Sequence, residues 1–136
     1  MTAEQDLSWI LENFVKDVPG VVHTQTVSSD GIHLASSSGM TEVQQEQFAA
    51  VTSGLSSLNE SAGETFGILP AIRQVLEFQT GWILVSRISA SANLAVICDK
   101  SADLGLVGYE MAVLAERCGE LLSPEVISRL KNMLAI

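Results

Sequence analysis

A chain of 136 residues, 47% of them hydrophobic and 17% charged, has the size and apolar content of one folded domain, which excludes a disordered segment. Its formal net charge of −9 repels phosphate backbones and anionic headgroups, so nucleic acid and anionic membranes are poor partners and a protein with a basic patch is the compatible one. No apolar run reaches the roughly 18 residues that cross a bilayer, and the acidic start MTAEQDLSW lacks the basic segment of a secretory signal.

No membrane insertion is therefore expected, and a cytoplasmic location is. There Cys98 and Cys118 stay reduced. Their spacing fits no zinc or redox motif, and their apolar surroundings mark them as core thiols. The charge is uneven along the chain. Residues 1–72 hold nine acids against the single base Lys16, whereas residues 73–136 hold seven acids and six bases.

Thr2 and Gln5 fit a capping box. Leu7, Ile10, Leu11, Phe14, Val15 and Val18 follow at helical spacing and give a first helix one apolar face, with Trp9 at its margin as peripheral packing. Pro19 and Gly20 stop that helix. Residues 21–28 and 32–36 read as strands around the turn Ser29-Asp30-Gly31. His23 and His33 lie on this pair, where two imidazoles could begin a metal site or a general-base pair. No Cys, Asp or Glu on these strands completes the set, so both read as half-exposed strand residues.

The polar stretch 36–39 lacks the glycines and lysine of a phosphate-binding loop and the Gly-x-Ser-x-Gly of a hydrolase elbow, so it is a loop. Thr41 caps a second helix expected over 41–62, with Glu42 and Glu46 near its positive end. Phe48, Val51, Leu55, Leu58 and Ala62 form a stripe that seats it on a sheet. Beside that stripe runs a line of small residues, Ala50, Gly54, Ser57 and Ser61. A glycine inside a helix costs about 1 kcal/mol relative to Ala, and close approach of another backbone would offset it. Either this helix meets another, such as its own symmetry mate, or it is a poorly optimised surface helix.

Residues 63–70 connect to a third strand over 71–79. Ile72, Leu76 and Phe78 occupy one face of it, and Arg73, Val75 and Glu77 the other. The charged pair suits an edge, which must be covered, blunted or paired with another chain. Residues 82–88 and 94–98 are two further buried strands joined by a short polar connector. A third helix from Asp103 carries Val107, Met111, Leu114, Cys118 and Leu121, broadened by Leu106, Tyr109 and Val113. Ser123 and Pro124 start a short last helix with Val126 or Ile127, Leu130, Met133 and Leu134 on its stripe. Too short to stand alone, it either docks on the body or reaches a partner.

The element order implies an α+β fold. It is a five-stranded antiparallel sheet with the second helix on one face and the first and third on the other. Asp30-Gly31, Leu34-Ala35, the runs 81–85 and 94–97, and the run DLGLVGYEM over 103–111 together resemble the Roadblock (dynein light chain) family. The similarity is greatest to its bacterial, actinobacterial-type members. It spans about residues 5–122, implying a roadblock/profilin-like domain over 1–122 with a helical extension over 123–136.

The resemblance implies a non-enzymatic homodimer with no cofactor, no metal and no active site of its own. Third strands would pair across the dimer and second helices would pack together, which falls on Arg73, Val75 and Glu77 and on Ala50, Gly54, Ser57 and Ser61. It also implies regulation of a small Ras-like GTPase in a bacterial signalling cassette that includes a sensor-kinase-like protein. The GTPase would meet the second-helix face at Glu42, Gln45, Glu46 and Gln47. With Lys16 the only base before Arg73, that helix offers no arginine finger, so any stimulation of GTP hydrolysis would work by positioning the partner's own residues. The alternative is a PAS- or GAF-like small-molecule sensor, which needs an anchored cavity that seven aromatic residues hardly supply.

Overall fold

A computed structural model describes residues 2–134. Met1 and residues 135–136, the outer ends of the expected units 1–122 and 123–136, lie outside the described residues. Helix α1 (Ala3–Asp17) begins at the expected capping box: the Thr2 hydroxyl accepts the Gln5 N–H at 3.2 Å, and the Gln5 side chain accepts the Thr2 N–H at 2.9 Å. Strands β1 (Val21–Ser28) and β2 (His33–Ser36) follow, then α2 (Glu42–Phe66) with an equivalent box between Thr41 and Gln44. Strands β3 (Arg73–Phe78), β4 (Gly81–Ser89) and β5 (Ala92–Asp99) lead into α3 (Leu104–Leu121), capped by Asp103, and α4 (Pro124–Leu134).

The strands form one antiparallel sheet in the order β2-β1-β5-β4-β3, leaving β2 and β3 at its edges. Alternation along the strands divides the sheet into two unlike faces. Leu84, Leu94, Val96 and Cys98 point to the face covered by α1 and α3, where Leu7, Leu11, Val107 and Met111 close a dry core. Helix α4 returns to that same core at Ile127 and Leu130, beside β2. Lys131 clamps it to the β1–β2 turn through Asp30 at 2.9 Å. The Ser28 hydroxyl, and after it Lys131, hold the Asp30 carboxyl below its ordinary range.

Gly81 marks how closely β4 and β5 approach at one end of their ladder. A Cβ added there would sit 2.5 Å from the Cys98 carbonyl oxygen, an atom fixed in the backbone. Gly81→Ala should therefore lower stability by about 1–3 kcal/mol, seen as a lower urea midpoint at unchanged slope.

The face under α2 departs from the expectation. The stripe from Phe48 to Ala62 seats the helix only through Phe48 and, in part, Leu55: Val51 and Leu58 are 49% and 69% exposed, and Ala62 is exposed too. Ala49, Thr52 and Gly63 are buried with Phe48 in place of the rest of the stripe. The cause is the polarity of the sheet beneath. Buried Gln25 donates to the Gln45 carbonyl at 3.0 Å, the Ser56 hydroxyl donates to Asn93 at 3.1 Å, and Ser53 donates to the Ser29 carbonyl at 3.0 Å. Buried polar groups need partners, and these bonds turn Ser53, Ser56 and the Gln45 backbone inward, while Gln25 Oε1 and Thr52 Oγ1 are left without one.

The helix also runs past its expected end at 62. Gly63 is buried where a Cβ would meet the Leu69 side chain at 2.8 Å, and Gly67, at φ +66°, provides the left-handed stop. Elsewhere, Leu106, Tyr109 and Val113 do not broaden the core but are exposed on α3, as are Met133 and Leu134 on α4. Each lies on the side of its helix turned away from the sheet.

Candidate functional site

With α2 turned this way, its outer surface carries both the small residues and much of the apolar stripe. Ala50, Gly54, Ser57 and Ser61 are all exposed, and Val43, Val51 and Leu58 stand among them. An added Cβ at Gly54 would meet nothing within 4 Å. No backbone of this chain approaches Gly54, so nothing within the fold offsets the glycine.

Strand β3 lies next to this surface, with β4 as its ladder partner and its other side open. On the α3 face the Arg73 guanidinium donates to the Gly108 carbonyl at 3.2 Å, over a spot where a Cβ on Gly108 would come within 2.9 Å of it. Glu77 pairs with Lys100 at 2.6 Å, and the same ammonium stands 4.2 Å from the Trp82 ring centre. Both charged side chains are thus engaged within the chain, while Val75 between them is half exposed. On the opposite face Ile72 and Phe78 are largely uncovered because α2 does not reach over β3. Phe66 at the end of α2, with Ile68 and Leu69 just past it, is exposed as well. Exposed apolar side chains in this number on one side of the sheet mark an interaction surface.

Of the candidate partner residues, Glu42, Glu46 and Gln47 are exposed. Gln45 is half-buried, and its side-chain amide is spent on the Met40 carbonyl at 3.2 Å, so it shapes the start of the helix. Arg87 escaped notice in the sequence. Pairing of β4 with β5 brings it beside α2, where it meets Glu60 at 3.5 Å. Only the strand register reveals that neighbour.

The two histidines stay apart. His33 is opposite Val27 at the turn end of the hairpin, whereas His23 lies at the far end opposite Ile97. His23 lines an open depression of about 240 Å³ with Phe48, Val51, Ile83 and Ile97, and its Nδ1 is buried there without a hydrogen-bond partner. The described residues hold no group of three or more His, Cys, Asp or Glu able to bind a metal. Burial pushes the Cys98 thiol up to about 11 and the Cys118 thiol up to about 12, which makes both poor nucleophiles. No helix among the described residues is long and apolar enough to cross a membrane.

A family model for the Roadblock/LC7 domain matches residues 7–98. The solved Roadblock/LC7 domain from Streptomyces avermitilis is 32% identical and superposes with a TM-score of 0.77, over 81% of this chain and 92% of that one. The gliding protein MglB from Thermus thermophilus shares the fold at 15% identity, with a TM-score of 0.79 over 89% of this chain and 91% of that one. Profilin IA from Acanthamoeba castellanii follows at 14% identity and a TM-score of 0.53, over 85% of this chain and 98% of that one. No curated protein matches the chain. The PAS- or GAF-like alternative finds no support in these matches, and the depression beside His23 is open rather than an enclosed ligand chamber. The domain match, the 32% identity and the shared five-stranded architecture agree: the chain belongs to the Roadblock/LC7 domain family.

Proposed function

We propose that this protein is a homodimeric, non-enzymatic adaptor that regulates a small Ras-like GTPase. The observation that carries this reading is the exposed apolar and small-residue face of α2 lying beside the open edge of β3. In the proposed dimer, the α2 helices meet along Ala50, Gly54, Ser57 and Ser61. The β3 edges pair through their backbones, and Arg73, Val75 and Glu77 flank that junction. Because Arg73 and Glu77 already have partners on the α3 face, the ladder and Val75 supply the contact.

The GTPase is a proposal drawn from family membership and from the acidic start of α2, where Glu42, Glu46 and Gln47 face solvent. A basic patch on the GTPase would suit that end. Gln45 contributes only through the helix it holds in place. Arg87 stands near α2 but is tied to Glu60, so stimulation of hydrolysis would act by ordering the partner's own catalytic groups. A sensor-kinase-like third component rests on the family resemblance alone. The division into a domain over 1–122 and an extension over 123–136 is part of the same proposal.

Single-turnover GTP hydrolysis by the cognate GTPase, with and without this protein, tests the regulatory half. An increase of about tenfold or more, corresponding to roughly 1.4 kcal/mol of barrier, is expected, and Glu42→Lys with Glu46→Lys should abolish it. An unchanged rate would leave the scaffold alone.

A further inference from the structure

The opposite face of the molecule carries a second surface that uses neither α2 nor β3. Helices α1 and α3 lie side by side with opposite polarity: Trp9 and Ile10 face Arg117, Glu120 and Leu121, while Asn13 and Asp17 face Glu110 and Val113. Between them run two depressions, of about 310 and 110 Å³, that share Ile10 and Arg117. From Asp6 to Asp17 this groove covers about 16 Å of helix, or three turns. Its floor is apolar, with Phe14 and Leu114 buried beneath and Trp9 standing 58% exposed on the rim.

The rim is acidic. Asp6 and Glu120 stand at one end, Asp17 and Glu110 at the other, and Arg117 in the middle is the single base lining either depression. Among the described residues none of these five side chains forms an ion pair, although Glu60, Glu77 and Asp30 all do. Two carboxylates at each end of an apolar trough, left without bases of their own, define the complement: a helix with apolar side chains along one stripe and a Lys or Arg near each end of it. A strand would find no open ladder there, because the groove is bounded by two helices.

We propose that the α1/α3 groove docks a cationic amphipathic helix of a partner protein. The two depressions would take successive apolar anchors, and the bases would be set apart by Arg117. The site is independent of the dimer and GTPase reading, since both of those use the other face of the sheet and its β3 edge.

The probe is a labelled helical Leu/Lys peptide of about 18 residues, titrated into the full chain by fluorescence anisotropy, with the contact mapped by backbone amide shifts. Saturable binding with shifts on α1 and α3 is expected. Asp17→Lys with Glu120→Lys should weaken it about tenfold or more. Both positions lie in a last helical turn, where a lysine suits the helix dipole, so the fold should survive. Glu64→Lys with Glu125→Lys makes the same change in net charge away from the groove and should weaken binding less than about threefold. Trp9→Ala should also weaken it. The proposal is overturned if the Leu/Lys peptide does not bind or if its shifts fall on α2. It is equally overturned if both charge reversals act alike, which would mean diffuse attraction to an acidic protein, or if a Leu/Glu peptide binds as well.

Discussion

Gly54→Leu should convert a dimer into a monomer in light scattering while leaving the protomer folded. The protomer tolerates the change because an added Cβ at position 54 meets nothing within 4 Å. Replacing glycine inside a helix even favours the isolated chain by several tenths of a kcal/mol. The effect therefore falls on whatever stands against that face in the assembly. Packed helices lie about 8–10 Å apart, and the nearer end of that range is open only to residues such as Ala50, Gly54, Ser57 and Ser61.

A leucine on both copies would intrude twice across a twofold axis. At about 1–3 kcal/mol per overpacked site, the dimer would lose about 2–6 kcal/mol, a rise in its dissociation constant of about 30-fold to more than 10⁴-fold. Gly54→Ala provides the contrast. It raises the stability of any monomer by about 1 kcal/mol, yet should weaken the dimer, so the two properties move in opposite directions. If Gly54→Leu stays dimeric at unchanged affinity, the helices do not meet there, and pairing would have to rest on the β3 edge alone.

The parts of this fold that could be read from the sequence are those whose signals are local. The capping box at Thr2, the N-cap at Thr41, the Pro19-Gly20 stop and the glycine turn at Gly31 each depend on residues within one turn of the chain, and each appears where expected. Periodicity placed α1 correctly because its apolar face, Leu7 to Phe14, meets a largely apolar sheet face whose buried Thr24 and Thr26 hydroxyls are already taken by strand carbonyls. It misjudged most of the inward side of α2 for the converse reason. The side of a helix that turns inward is set by what lies beneath it, and beneath α2 lie Gln25 and Asn93, whose amide groups the strands bury. A hydrophobic stripe loses to that demand for hydrogen bonds.

The candidate surface was half visible for the same reason. The small line at Gly54 and the edge character of β3 are patterns in the residues themselves. That Val51 and Leu58 join the exposed face follows only from the rotation of α2. Likewise, the capture of Arg73 by Gly108 depends on a contact between residues 35 positions apart, which no local signal encodes.

Leu130→Ala should destabilise the whole domain, although it lies in the last helix. Leu130 is 4% exposed and Ile127 is 5% exposed, and both belong to the cluster that contains Leu7, Leu34 and Met111. Truncating a buried leucine costs about 2–5 kcal/mol, the spread reflecting how far the site collapses. Here part of the collapse is open, because β2 is an edge strand of four residues held on one side only, by β1. The loss should therefore lie in the middle of that range and appear as one shifted urea transition for all probes.

The alternative is that α4 is a detachable arm. Hydrogen exchange would then quicken in residues 124–134 alone, with the urea midpoint unmoved, because local opening and global unfolding would be separate events. Lys131 and Asp30 do not decide between these outcomes, since an exposed ion pair contributes at most about 1 kcal/mol. Only the apolar contacts of Ile127 and Leu130 are large enough to couple α4 to the sheet, and their place inside a continuous core predicts a single cooperative transition.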